Sequence, residues 1–382
     1  MIIKTTEELI NYVTRLSEQH YVAIDTEFMR EKTYWPMACL IQVASDDGIE
    51  FCIDALDKSV DISPFFEILD NPNIVKVFHA ARQDIEVFFC MTGTIPHPLF
   101  DTQVAGMVCG MGESISYKDI VYQTLRVSID KGMRHTDWSR RPLDERQIEY
   151  AMSDVTHLRD VYKILKKRLD TSGRGEWIRE EMDKLADITI YDTNPDDAWH
   201  RFKAKGLSTR SLNVLKWLAK WRENKAKEKN RPRNFVLRDN VIQEIAAMRP
   251  TNLEELTKVR GIIDGGKYNN EILEAINNAL ENRENLRDEV AHTSVKNRAL
   301  FELLKMLLHI KAEEEGVAAK LIASNEELGR IADGEREEIA ALTGWRKDIF
   351  GNCALELCEG NVGIAYDAES AKTVLRRLST EG

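Results

Sequence analysis

The sequence predicts a mixed α/β domain at the N-terminus followed by two all-α modules, on three observations. Short apolar runs of strand length crowd the first eighty residues and then give way to helical periodicity. Beyond residue 200 the pattern is almost wholly helical. Within that helical part, blocks of sequence recur at a nearly constant offset, as repeated modules do. A chain of 382 residues also exceeds one ordinary core, so two or three domains are expected.

The elements follow in order. "TTEELINYVTRL" has helical periodicity, with Thr5 or Thr6 as N-cap. "YVAID", "ACLIQVAS", "EFCID" and "IVKVFHA" read as strands. "ARQDIEVFFCM", "DTQVAGMVC", "SYKDIVYQTL" and the long "DERQIEYAMSDVTHLRDVYKILKKRL" read as helices. Three strands close together, then a fourth leading into helices, predict a mixed sheet flanked by helices over 1–170. "TSGRG" and "DTNPDD" bracket a helix and mark a helical linker over 171–204. In the repeat, "NVIQEIA" ending at Ala246 matches "EELGRIA" ending at Ala332, and "LTKVRGI" from Leu256 matches "LTGWRKDI" from Leu342. "LNVLKWLAKWR" from Leu212 resembles "LFELLKMLLHIK" from Leu300. The offsets are 86, 86 and 88 residues and predict modules at 205–285 and 290–375.

Composition narrows the class. Hydrophobic content of 43% and charged content of 31% fit a soluble globular protein. No apolar run approaches the ~20 residues that span a bilayer, and "MIIKTTEELI" lacks the apolar core of a secretory signal. No membrane association and no obligate protein partner are expected. Six scattered cysteines without zinc-finger spacing fit reduced thiols in a cytoplasmic protein.

Net charge is −11, but it is segregated: residues 201–238 hold thirteen Lys or Arg against Glu223 and Glu228, so +11. The rest then carries −22. A basic block in an acidic chain is either a local polyanion site, with Lys225, Lys227 and Lys229 as candidate contacts, or a solvated helix face. Trp217 and Trp221, four apart, read as core on one helix face. Residues 287–324 balance six basic against six acidic residues, which suits a more structural second module.

The chemistry-bearing residues begin with Asp25 and Glu27. Side chains i and i+2 on a strand share a face, so both acids project together from its end. That is costly unless a cation lies between them; the alternative is an exposed strand end whose acids diverge into water. Asp84 falls in the first turns of the helix that follows "IVKVFHA". Tyr150 and Asp154 in "IEYAMSDVTHL" are i and i+4 on one helix face. Carboxylate oxygens are hard donors that suit Mg²⁺ or Mn²⁺.

In this order and on these elements, the four acids and the tyrosine resemble the DEDD exonuclease superfamily in its tyrosine-bearing variant. "DTEFMREKTYWPMACLIQVA", "KVFHAARQDIEVF", "FDTQVA" and "DWSRRPLDERQIEYAMSDV" narrow the resemblance to the bacterial ribonuclease D family. The helical repeats resemble HRDC domains, the second less clearly than the first. The resemblance implies a ribonuclease H-like exonuclease domain, two divalent ions, and 3′→5′ release of 5′-mononucleotides from RNA, with transfer RNA precursors as substrates. It implies that Asp25, Glu27 and Asp154 hold one metal, that Asp25 bridges to a second supported by Asp84, and that Tyr150 orients the attacking water. Phe28 would pack under the last base or belong to the core. His79 would contact the terminal nucleotide or serve structure alone. Arg140 and Arg141 would pair with phosphate, or form an N-cap or salt bridge, and Gln103 and Trp138 carry no assigned role. Two other readings share the motifs: a DNA exonuclease of proofreading or repair type, and a catalytically inactive RNA-binding adaptor. The acids do not separate RNA from DNA, since metals grip phosphate; the adaptor is disfavoured because no acid is missing.

Overall fold

The computed structural model describes residues 1–129, 132–133, 136–287 and 295–378. Five strands, β1 (Tyr21–Met29), β2 (Met37–Ser45), β3 (Glu50–Asp54), β4 (Val75–Phe78) and β5 (Leu99–Asp101), form one sheet in the order β3-β2-β1-β4-β5. β2 runs antiparallel to β1 and β3, while β4 and β5 continue parallel to β1, so the sheet is mixed. Tyr21 to Ile24 are all buried, as expected of a central strand covered on both faces. β5 went unread in the sequence. Its three residues are too few to show alternation.

Helices flank the sheet: α1 (Thr6–Leu16), α2 (Ser63–Asp70), α3 (Arg82–Thr92), α4 (Thr102–Val108), α5 (Tyr117–Leu125) and α6 (Glu145–Ser172). Thr5 caps α1, its side chain accepting from the Glu8 N–H at 3.1 Å. α6 starts with a reciprocal capping box between Asp144 and Gln147 and packs against β1, β2, β3 and β4. α7 (Gly175–Leu185) lies in the segment that leads to the helical part. Among the described residues no helix is long and apolar enough to cross a membrane, and all six cysteines are free.

The first helical module holds α8 (Thr209–Lys229), α9 (Arg233–Val236), α10 (Asp239–Met248), α11 (Leu253–Leu256) and α12 (Asn269–Glu281). The second repeats this order with α13 (Arg298–Glu315), α14 (Ala319–Ile322), α15 (Asn325–Ala332), a short turn at Ala340–Leu342 and a continuous helical run over 344–358. One expectation fails here: the second module is not all-α. It ends in an antiparallel hairpin, β6 (Val362–Asp367) and β7 (Lys372–Arg377). "KTVLRR" carries helix-forming Leu and Arg, but β-branched Thr373 and Val374 pair well across from Tyr366 and Ala365.

The cores do not follow the repeat. One apolar cluster runs from Ile3 to Tyr191 and continues through Leu304 to Val362, so the second module and the α/β domain share a core. The first module has its own, from Ala198 to Leu286. At the shared seam Trp177 stacks on Trp345 at 4.3 Å. A Cβ on Gly110 would sit 2.5 Å from the Gly316 carbonyl oxygen, so the two backbones touch there only because residue 110 is glycine.

Candidate active site

β1 delivers Asp25 and Glu27, and its register against β2 shifts between Glu27 and Phe28. Such a bulge re-aims side chains at a strand's working end. α6 delivers Tyr150 and Asp154 one turn apart. Oxygen atoms of Asp25, Glu27 and Asp154 lie within 4.8 Å of one another. Asp84, in the first turn of α3, is 7% exposed, and its Oδ1 accepts from Thr26 Oγ1 at 2.6 Å and from Thr26 N at 3.2 Å. All five predicted residues line one cavity of about 400 Å³, together with Phe28, His79 and Tyr117.

The electrostatics match the geometry. Burial pushes the Asp25 carboxyl well above its ordinary value, the Asp154 charge adds to the rise, and the Thr26 N–H opposes it. Burial and then Asp25 raise Asp84 in the same way. A divalent cation reverses this by supplying the missing positive charge. The donor set is entirely hard oxygen, which suits Mg²⁺ or Mn²⁺.

His79 Nδ1 lies 3.0 Å from Thr102 Oγ1, and burial lowers the imidazole below its usual range. Phe28 is half-buried on the cavity wall. Arg141 is bound to Asp54 through two 2.6 Å hydrogen bonds, the salt-bridge alternative for that residue. Trp138 is buried with its ring 6.2 Å from that of Tyr150. Gln103 Nε2 donates to the Ile115 carbonyl at 3.0 Å and so holds one wall. Lys225, Lys227 and Lys229 lie on α8 and line no part of this cavity. Lys225 sits between Glu228 at 3.0 Å and Glu271 at 2.9 Å. Lys227 donates to the Thr193 carbonyl at 2.7 Å, and Lys229 pairs with Glu228 at 2.7 Å.

Two contributors were not read in the sequence. The Tyr117 hydroxyl donates to the carbonyl of Asp154 and to that of Ser153, pinning α6 where its acid projects. "SYKDIVYQTL" announces a helix but not the distant carbonyl that its tyrosine reaches. Asp101 accepts from the N–H groups of Ala80, Ala81 and Gln103 at 3.0, 2.8 and 2.7 Å. It thereby holds the turn between β4 and α3, where Ala80 adopts φ 57°.

The mixed sheet and the hard-oxygen cluster at its end fit a metal-dependent 3′-5′ exonuclease. Residues 1–170 match the 3′-5′ exonuclease family model, and residues 211–276 match the HRDC domain model. The chain is 42% identical to ribonuclease D of Nitrobacter hamburgensis over 371 residues, covering 96% of this chain and 97% of that one. It is 43% identical to ribonuclease D of Acidiphilium cryptum over 380 residues, covering 98% and 97%. The crystal structure of Escherichia coli RNase D, an exoribonuclease involved in structured RNA processing, superposes with a TM-score of 0.81 at 29% identity, covering 94% of this chain and 98% of that one. The chain belongs to the ribonuclease D family and is a 3′→5′ exoribonuclease.

Proposed function

We propose that the protein trims single-stranded 3′ ends of transfer RNA precursors in the cytoplasm, releasing 5′-mononucleotides with two Mg²⁺ or Mn²⁺ ions at the acid cluster. The observation that carries this reading is the convergence of Asp25, Glu27 and Asp154 oxygens within 4.8 Å, in a cavity that also holds Asp84 and Tyr150. When bound, divalent ions lower the pKa of water and neutralise charge on a reacting phosphodiester. Asp25, Glu27 and Asp154 would hold one ion; Asp25 and Asp84 would serve the second, Asp84 through water. Tyr150 orients the attacking water by hydrogen bonding, because a phenol of pKa about 10 is a poor base at neutral pH. Phe28 offers a face to the terminal base, and His79 borders the terminal nucleotide. The basic first module acts as a second handle on the RNA body through sequence-tolerant phosphate contacts. Both helical modules are HRDC domains in this reading, supported by the recurrence of their helix order.

Asp25→Asn tests the site, because it removes a charge and keeps the shape. Nucleotide release from a labelled RNA falls by at least ~10³-fold, as when a principal electrostatic stabiliser is removed. Near wild-type release overturns the metal-site reading. The same change relieves repulsion between buried carboxylates. In EDTA the variant melts about 2–4 °C higher, the shift that roughly 1 kcal/mol gives a domain of this size. Tyr150→Phe loses ~10²-fold in kcat with KM little changed, the lower range for a positioned proton-handling group. Full activity in that variant removes Tyr150 from the mechanism.

A further inference from the structure

Between the loop that follows β1 and the first helical module lies a second cavity, of about 350 Å³. Its walls include four arginines, Arg30, Arg201, Arg222 and Arg233, with Tyr34 and Asp239. The neighbouring acids do not cancel them. Glu223 accepts from Arg233 Nε and Nη2 at 2.5 and 2.6 Å, and from Arg201 Nη1 at 3.3 Å. Glu86 takes Arg30 at 2.6 Å, and Asp239 takes Arg222 Nη1 at 2.6 Å. Four cations against three anions leave a positive cavity in a chain whose net charge is −11.

Two of the arginines play different parts. Arg222 is 3% exposed, and no acceptor among the described residues reaches its Nε. Its guanidinium lies over the Phe202 ring at 5.1 Å, so Arg222 contributes buried positive charge behind the cavity wall rather than a direct contact. Arg201 is the loosest of the four, with its side chain 42% exposed. Planar guanidinium forks suit phosphate oxygens, and the volume suits a small anion or nucleotide. The cavity also adjoins two of the three elements that carry the acids of the nuclease site. Arg30 lies one residue beyond β1, and its partner Glu86 is two residues after Asp84 on α3.

We propose that this cavity binds a phosphoryl group, which clamps the first helical module to the segment just beyond Asp25 and Glu27. The group is supplied either free, as inorganic phosphate or a mononucleotide, or by the RNA backbone. The free-phosphate arm rests on the arginines alone and not on the nuclease reading.

The test uses the full chain in EDTA, so that no divalent ion at the acid cluster can retain phosphate. Inorganic phosphate and 5′-AMP at up to ~10 mM are titrated calorimetrically and by melting temperature, against chloride at matched ionic strength. Saturable binding is expected, weakened about fivefold or more by Arg201→Gln and tightened about threefold by Asp239→Asn. The gain in the second variant cannot arise from misfolding. In parallel, a 3′-blocked single-stranded RNA is bound across a salt series. If the RNA backbone supplies the group, Arg201→Gln lowers the log–log salt slope by about 0.7. If the slope is unchanged while phosphate binding weakens, the ligand is free phosphate or nucleotide. Protection no better than chloride together with an unchanged RNA slope overturns the proposal, as does phosphate binding indifferent to both substitutions. Failure of the nuclease reading would show separately, as absent nucleotide release with Mg²⁺ despite intact phosphate binding.

Discussion

The two helical modules share a helix order and differ in how they are attached. The second shares an apolar core with the α/β domain and seals the seam with stacked Trp177 and Trp345. It also braces the wall of the candidate site: Glu113, one residue before Ser114 of the cavity lining, accepts from the N–H groups of Ala319 and Lys320. The first has its own core and meets the α/β domain through a seam where polar contacts surround a small apolar cluster of Tyr34, Ala226 and Val236. There Asn230 Oδ1 accepts from the N–H groups of Tyr34 and Trp35, and the Tyr34 hydroxyl donates to Glu223 at 2.5 Å. One scaffold is thus used once as part of a core and once as a separately folded attachment. An apolar seam resists separation, whereas a charged seam can respond to salt, pH and anions.

The largest expected effect lies at the apolar seam. Arg346 is 4% exposed and donates to Glu180, Glu181 and the Leu321 carbonyl. Arg346→Ala strands the Leu321 carbonyl and removes packing over the Trp345 ring, while Glu181 keeps Lys184 and Glu180 stays half exposed, so the cost is about 2–4 kcal/mol. Because the core is shared, calorimetry should show the α/β domain and second module unfolding together at lower temperature, with activity lost along the same curve. A variant whose second module melts alone while nuclease activity persists would break the comparison.

A smaller effect is expected at the charged seam. Burial raises Glu223, but hydrogen bonds from Arg233 and Tyr34 overcome it and hold the carboxyl down at about 2. A folded-state pKa below the ordinary 4.5 means that its contribution is full above pH 4.5 and drains away as pH falls towards 2. Glu223→Gln keeps the shape, removes the charge, and costs about 1–3 kcal/mol by leaving buried donors poorly satisfied. Fluorescence of Trp35 and Trp221, which flank this seam, should report an acid transition in the wild type that is flattened in the variant. The same acid midpoint in both proteins would place the pH response elsewhere.

The sequence made legible what depends on short-range spacing. Asp25 with Glu27 and Tyr150 with Asp154 each lie within one strand or one helical turn, so their shared faces follow from period alone. The sheet, the long helix and the repeat were legible for the same reason. Residues whose partners lie far along the chain were not. Tyr117 acts on a carbonyl 37 positions away, and Arg346 on acids 165 and 166 away. The β6–β7 hairpin was hidden because Leu and Arg in its second strand favour a helix locally. The basic block was counted correctly, but its compensation was invisible: Glu271, Asp192, Asp196 and Glu284 all come from outside it.

That compensation sets the smallest prediction and divides the first module's own cations. Lys225, Lys227 and Lys229 each lie against a carboxylate, so RNA phosphates must displace an existing partner. Arg231, Arg238 and Arg260 form no ion pair among the described residues and line a groove of about 940 Å³ beside exposed Phe235 and Ile263. Neutralising three free cations should flatten the log–log salt slope for single-stranded RNA by about 2. The triple Lys→Gln variant should weaken RNA binding and flatten the slope by clearly less, with stability changes within about 1 kcal/mol per pair. The triple Arg→Gln variant should approach the full value. Filter binding of a 3′-blocked RNA over a salt series checks both. An unchanged slope in the lysine variant removes those three residues from the handle. A lysine effect equal to the arginine effect would mean that the ion pairs open freely, and that charge counted along the sequence measures this surface better than its pairing does.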